Sequence, residues 1–132
     1  MKILVVEDES TSMELLVSFL LPYGKIDRAY DGKEAMGAIK KAFTDGAPYN
    51  LICLDIMMPE MDGHEVLEKM RTEESRKGVL LGDGAKVIMI TCKSDSKNIL
   101  GSFNKQCDGY IVKPVEKRML EEELKRLGFH KS

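Results

Sequence analysis

At 132 residues the chain has the size of a single domain, and 43% hydrophobic against 32% charged residues supply one core and a surface to cover it. Twenty basic and 22 acidic side chains leave a net charge of -2, which argues against a nucleic-acid-binding surface, since those carry a basic excess. No apolar run reaches the length of a membrane span. The N-terminal Met1-Lys2, followed at once by a short strand-like run, is not a signal peptide. Three cysteines, Cys53, Cys92 and Cys107, are too few and too scattered for a disulfide framework or a CxxC metal knuckle, so a reduced, cytoplasmic setting is expected.

Short apolar runs alternate with stretches of helical period along the chain. The first run, Ile3 to Val6, leads to Thr11-Ser12-Met13-Glu14, which has the form of a capping box. Met13, Leu16, Val17 and Leu20 then line one helical face, and Pro22 and Gly24 stop that helix. A weaker run, Ile26 to Tyr30, precedes Asp31, which caps a second helix with Ala35, Ala38, Ile39 and Ala42 as its inner stripe. The third run, Leu51 to Leu54, ends on Asp55. After a turn shaped by Pro59, Asp62 caps a third helix, packed through Val66, Leu67 and Met70. From Glu73 to Lys86 a long connection is expected, with Val79-Leu80-Leu81 either a small exposed apolar patch or, the favoured reading, a flap over the core. Val87 to Ile90 is the fourth run, followed by a short fourth helix near Ser96 to Asn104. Tyr110 to Val112 is the fifth, before a last helix over about Glu116 to Leu127. Met119, Leu120, Leu124 and Leu127 form the apolar face of that helix, and Gly128 ends it.

The runs at 3, 51 and 87 are continuous rather than alternating, as in strands buried on both faces. Five strand–helix units with short connections therefore predict an α/β fold, one domain over residues 1–132, with helices on both faces of a parallel sheet.

Ligands of such sheets bind beyond the C-terminal ends of the strands. Strand one runs into Glu7-Asp8, strand three into Asp55, strand four into Thr91 and strand five into Lys113-Pro114. Carboxylates gathered there repel one another unless a proton or cation intervenes, and a few hard oxygen ligands with room for water and phosphate suit Mg²⁺. A carboxylate beside Mg²⁺ is a competent nucleophile for phosphorus, while Lys113 and the Thr91 hydroxyl could meet the phosphoryl oxygens. The chain has no glycine-rich phosphate loop and no Ser-His-Asp or Cys-His arrangement.

"VVEDE", "LDIMMPEMDG", "VIMITC" and "GYIVKP", in this order and spacing, resemble the receiver domain of two-component response regulators, over about Lys2 to Leu127. The resemblance implies a flavodoxin-like sheet with strand order 2-1-3-4-5. It implies Asp55 as phosphoacceptor, Glu7 and Asp8 as the acidic pair that holds Mg²⁺, and the Met57 backbone carbonyl as a further metal ligand. Thr91 resembles the switch hydroxyl, Lys113 the phosphate-binding lysine, and Tyr110 the aromatic whose ring turns inward on activation. It further implies a cis Lys113-Pro114 bond. A histidine kinase or histidine phosphotransfer protein would donate the phosphate, and either a surface of the fourth helix, fifth strand and fifth helix would signal to a downstream protein or the phosphate would be passed onward. The chain ends soon after the fifth helix, so a stand-alone receiver is expected, a monomer or weak dimer that acts on no substrate beyond its own phosphate.

Three features depart from the commonest pattern: Glu7 where aspartate is frequent, Cys92 where alanine or glycine is usual, and Met57 and Lys93 at positions that tune phosphoryl arrival and loss. Two rival classes are weighed. A haloacid-dehalogenase-type phosphatase would place a second aspartate where this chain has Met57. A receiver fold used only as an interaction module would be expected to lack the acceptor or the lysine, and both are present.

Overall fold

The computed structural model describes residues 1–58, 60–80, 82–92 and 106–132. Among them, strands β1 (Lys2–Val6), β2 (Lys25–Ala29), β3 (Leu51–Asp55), β4 (Lys86–Thr91) and β5 (Gly109–Val112) alternate with helices α1 (Ser10–Leu20), α2 (Gly32–Thr44), α3 (Gly63–Arg76) and α4 (Lys117–Arg126). The strands form one parallel sheet, as the sequence pattern predicts, in the order β2-β1-β3-β4-β5 that the family resemblance implies. The expected fourth helix near Ser96 to Asn104, together with Lys93, Pro59 and Leu81, lies outside the described residues; α4 is the helix expected last.

Alternate residues of the central strands serve opposite cores. Leu4, Val6, Ile52, Leu54, Val87 and Met89 pack against α2 and α3. Ile3, Val5, Leu51, Cys53, Ile88 and Ile90 pack against α1 and α4. This two-sided burial is why the runs read as unbroken apolar stretches. Cys53 sits at the centre, in register with Val5 and Ile88 and fully buried, and burial pushes its thiol up to about 12.

Four expectations need correction. The cap of α1 is not a Thr11 capping box: Glu9 is the N-cap, and its carboxylate accepts from the Thr11 and Ser12 amides at 3.1 and 2.9 Å, which brings a negative charge to the helix start. Met119 is 42% exposed, so the buried stripe of α4 reduces to Leu120 and Leu124. Leu80 is 72% exposed and covers no core. The long connection is also shorter than expected, because α3 continues to Arg76 and takes Glu73 and Glu74 into the interior.

Glu74 is tolerated there because its carboxylate accepts from Arg71 Nη1 at 2.8 Å and from the Ala85 amide at 2.7 Å. Arg71 also donates to the Ala85 and Gln106 carbonyls, each at 2.9 Å, and to Asp108 Oδ2 at 3.1 Å. One guanidinium thus ties α3 to the starts of β4 and β5. Arg71→Met would leave the buried Glu74 without its counter-ion and Asp108 with only Lys86, 3.9 Å away, and a loss of about 3 kcal/mol in urea unfolding is expected. A change within experimental error would mean the network contributes nothing to stability.

Candidate functional site

The sheet ends where the chemistry collects. The Glu7 amide donates to the Ala29 carbonyl at 3.0 Å, the Ile56 amide to the Ile90 carbonyl at 3.0 Å, and the Lys113 amide to the Thr91 carbonyl at 2.7 Å. Pairing therefore continues one residue past β1, β3 and β5 and fixes the backbone that carries Glu7, Asp55 and Lys113. Glu7, Asp55 and Thr91 are fully buried, whereas Asp8 is exposed.

The turn after Asp55 closes on a single acceptor: the Ile56 carbonyl takes the Met58 amide at 3.2 Å and the Gly63 amide at 3.0 Å. A Cβ at Gly63 would lie 2.7 Å from the Asp55 carbonyl oxygen and 2.8 Å from Ile56 Cα, so only glycine lets α3 begin against the Asp55 backbone. Glu60, in the same turn, holds a left-handed φ of 67°. The Asp62 carboxylate then caps α3 by accepting from the Glu65 amide at 3.1 Å.

One oxygen each of Glu7, Asp8 and Asp55 falls within 4.8 Å of the others. Asp55 Oδ1 accepts from the Met57 amide at 3.1 Å. Lys113 Nζ lies 3.0 Å from Glu7 Oε1 and 3.3 Å from Asp55 Oδ2. The single ammonium is thus shared by two buried carboxylates. Burial, then a hydrogen bond with Asp55, pushes Glu7 up to about 7 despite Lys113. Burial and the neighbouring Glu7 likewise raise the Asp8 carboxyl. Burial opposes the charge on Lys113, but Glu7 and Asp55 outweigh it and hold the ammonium above its ordinary value. A cluster of hard oxygens short of positive charge fits a small divalent cation such as Mg²⁺.

An unfolded chain gives up the Glu7 proton near 4.5, while the folded, metal-free protein holds it to about 7. Stability from this group is therefore present at low pH and lost as pH rises through 7. Glu7→Gln, which keeps the neutral shape, should stabilise the metal-free protein at pH 8 by roughly 2 kcal/mol and leave it nearly unchanged at pH 4, below the unfolded value of 4.5. Urea unfolding at both pH values checks this; an equal effect at each would disconnect Glu7 protonation from stability.

The other sequence-predicted residues surround this cluster. The Thr91 hydroxyl donates to the Cys92 carbonyl at 3.1 Å. Met57 is 55% exposed, and its backbone amide meets Asp55 Oδ1. Tyr110, in register with Met89, is 37% exposed. Lys113-Pro114 is cis. Cys92 lines a groove of about 440 Å³ with Glu7, Lys113, Ser12, Leu15 and Pro114. Sequence reasoning missed the pairing of Lys113 with Glu7, because nothing local links residues so far apart.

Comparison with known proteins follows the same lines. The family described as the response regulator receiver domain matches residues 3–125. The transcriptional regulatory protein ResD of Bacillus subtilis is 37% identical over 127 residues, which is 96% of this chain and 47% of that protein. A receiver domain protein (CheY-like) from Methanospirillum hungatei is 31% identical with a TM-score of 0.74, covering 96% of this chain and 91% of the solved one. The chemotaxis protein CheY4 of Vibrio cholerae is 25% identical with a TM-score of 0.73, covering 95% and 96%. The chain spans about half the length, or much less, of the curated relatives it matches.

Proposed function

Because the chain belongs to the response regulator receiver domain family, we propose that it accepts a phosphoryl group on Asp55 in a Mg²⁺-dependent step and signals the change to a protein partner. The observation that carries this reading is the shared ammonium of Lys113, within 3.3 Å of Asp55, beside a cluster of three carboxylates. Bound at Glu7, Asp8, Asp55 and the Met57 carbonyl, Mg²⁺ supplies positive charge for the phosphoryl oxygens.

An Asp55 carboxylate oxygen attacks phosphorus, a new O–P bond forms, and the bond to the donor's leaving group breaks. The Met57 amide orients Asp55 through its other oxygen. Lys113 gives charge to the transferred group as it arrives. The Thr91 hydroxyl, now on the Cys92 carbonyl, turns to a phosphoryl oxygen, and the Tyr110 ring moves inward with it. Met57 and Cys92, with Lys93 two residues past Thr91 in the sequence, tune how fast phosphate arrives and leaves.

The donor is a histidine kinase or histidine phosphotransfer protein, and the protein works in the cytoplasm as a monomer or weak dimer. It transforms no other substrate. A net charge of -2 supports a protein target over nucleic acid, and no helix among the described residues is long and apolar enough to cross a membrane.

Incubation with acetyl phosphate and Mg²⁺, followed by intact-mass measurement, tests the reading. One phosphoryl adduct per chain is expected. No adduct with any donor overturns it, and steady turnover of a small phosphoester would favour a phosphatase instead.

A further inference from the structure

We infer that the contact between Gly32 and Met61 is a positioning device, which sets the turn between β3 and α3 and through it the orientation of the Asp55 carboxylate. The inference rests on Asp55 being the acceptor. Met61 is partly buried against the core between α2 and α3. At Gly32, the first residue of α2, an added Cβ would lie 2.8 Å from Met61 Cβ and 2.9 Å from its Cγ and Sδ. Carbon atoms in contact rest at roughly 3.5 Å or more. Because Met61 Cβ is fixed to the main chain, rotating the side chain cannot relieve the overlap. One of the two backbones must move.

The α2 side is held firmly. The Asp31 carboxylate accepts from the Glu34 amide at 2.7 Å, and the Glu34 carboxylate accepts from the Tyr30 amide at 2.8 Å. Two residues earlier, the Ala29 carbonyl is bound by the Glu7 amide. The start of α2 is therefore an anvil, tied through Ala29 to the strand end that carries Glu7. On the other side, Met61 precedes the Asp62 cap of α3 in a turn closed by the Ile56 carbonyl. A displacement at Met61 reaches the Ile56 carbonyl through the Gly63 amide it accepts, and so the peptide that leads to Met57, whose amide holds Asp55 Oδ1 at 3.1 Å. Alanine favours a helix over glycine, so helix propensity and the turn contact act on Gly32→Ala in opposite directions. Gly32 is there for the turn.

The test is a cycle of wild type, Gly32→Ala, Met61→Gly and the double variant. Initial rates of phosphorylation by acetyl phosphate with Mg²⁺ are read by intact mass. Each single exchange should slow the reaction about tenfold, because small misplacements of a reacting group cost one to two orders of magnitude. The double variant should be no slower than the slower single, since the new methyl fills space that Met61 vacates. A Gly32→Ala rate equal to wild type overturns the inference, as does a double variant slowed by the product of the two effects.

The Met57 amide resonance, read by NMR without phosphodonor, is a second measurement. It should shift in Gly32→Ala while β1 amides stay in place, and an unmoved resonance overturns the inference. Should Gly32→Ala fail to fold, Met61→Gly decides alone: wild-type rate and wild-type Met57 resonance there overturn the inference. A wild-type protein that takes no phosphate overturns the acceptor reading instead, and the Met57 resonance still decides this one.

Discussion

Asp55→Asn is expected to take up no phosphoryl group under conditions where the wild type is fully modified. The amide has the shape of the carboxylate, so it can still accept from the Met57 amide through its oxygen. It lacks the charge and nucleophilicity that attack on phosphorus requires. Lys113 keeps Glu7 as a partner, and Asp55 no longer raises the Glu7 carboxyl by hydrogen bond and charge. The variant should therefore fold, and its metal-free stability should depend less on pH than that of the wild type. Intact mass with acetyl phosphate and Mg²⁺ reads the first expectation and urea unfolding the second. A phosphoryl adduct retained in Asp55→Asn would move the acceptor elsewhere, with Glu7 and Asp8 the remaining carboxylates of the cluster.

Lys113→Met separates the roles of charge and metal. It leaves Glu7 and Asp55 buried without the ammonium that now lies 3.0 and 3.3 Å away. Removing one partner of a buried ionic group is costly, so a loss of about 3 kcal/mol is expected at pH 8 without metal. At pH 5, where Glu7 carries its proton, the loss should be smaller. Phosphorylation should slow by a factor of about 100, the usual effect of deleting one preorganised charge stabiliser. Mg²⁺ affinity should nevertheless equal or exceed that of the wild type, because a competing positive charge has left the carboxylates. Titration with Mg²⁺ beside phosphorylation rates decides the matter. Parallel loss of both would mean that Lys113 acts by assembling the metal ligands and not on the phosphoryl group.

Much of this arrangement was legible because parallel βα units put strand ends together whatever the details between them. Asp55 at the end of Leu51 to Leu54 and Lys113 at the end of Tyr110 to Val112 had to meet at one edge. Helix starts were legible where one residue alone could cap, as at Asp31 and Asp62. At α1 several candidates crowd together in Glu9-Ser10-Thr11-Ser12, and the winner was settled by how the chain leaves β1.

The end of α3 was hidden for a different reason. Glu73 and Glu74 look like solvated loop residues until Arg71 and the Ala85 amide satisfy Glu74, and that partnership depends on the folded state. Leu80, an apolar residue in a connection, was read as covering the core and instead faces outward. The close approach of Met61 to Gly32 has no signature in periodicity or composition. Only the close approach of two turns reveals it.

The buried Cys53 turns the centre of the sheet into a clock. Its thiolate is suppressed and its sulfur is sealed between the neighbouring strands of β3, while Cys92 and Cys107 are only partly covered. Burial and Asp108 also raise the Cys107 thiol, so a thiol reagent in excess should modify Cys92 and, more slowly, Cys107, and the third site only when the sheet opens as a whole. The rate of that third modification, followed with and without Mg²⁺ or phosphodonor, would report how far occupation of the edge slows opening of the interior, with no reporter group added to the protein.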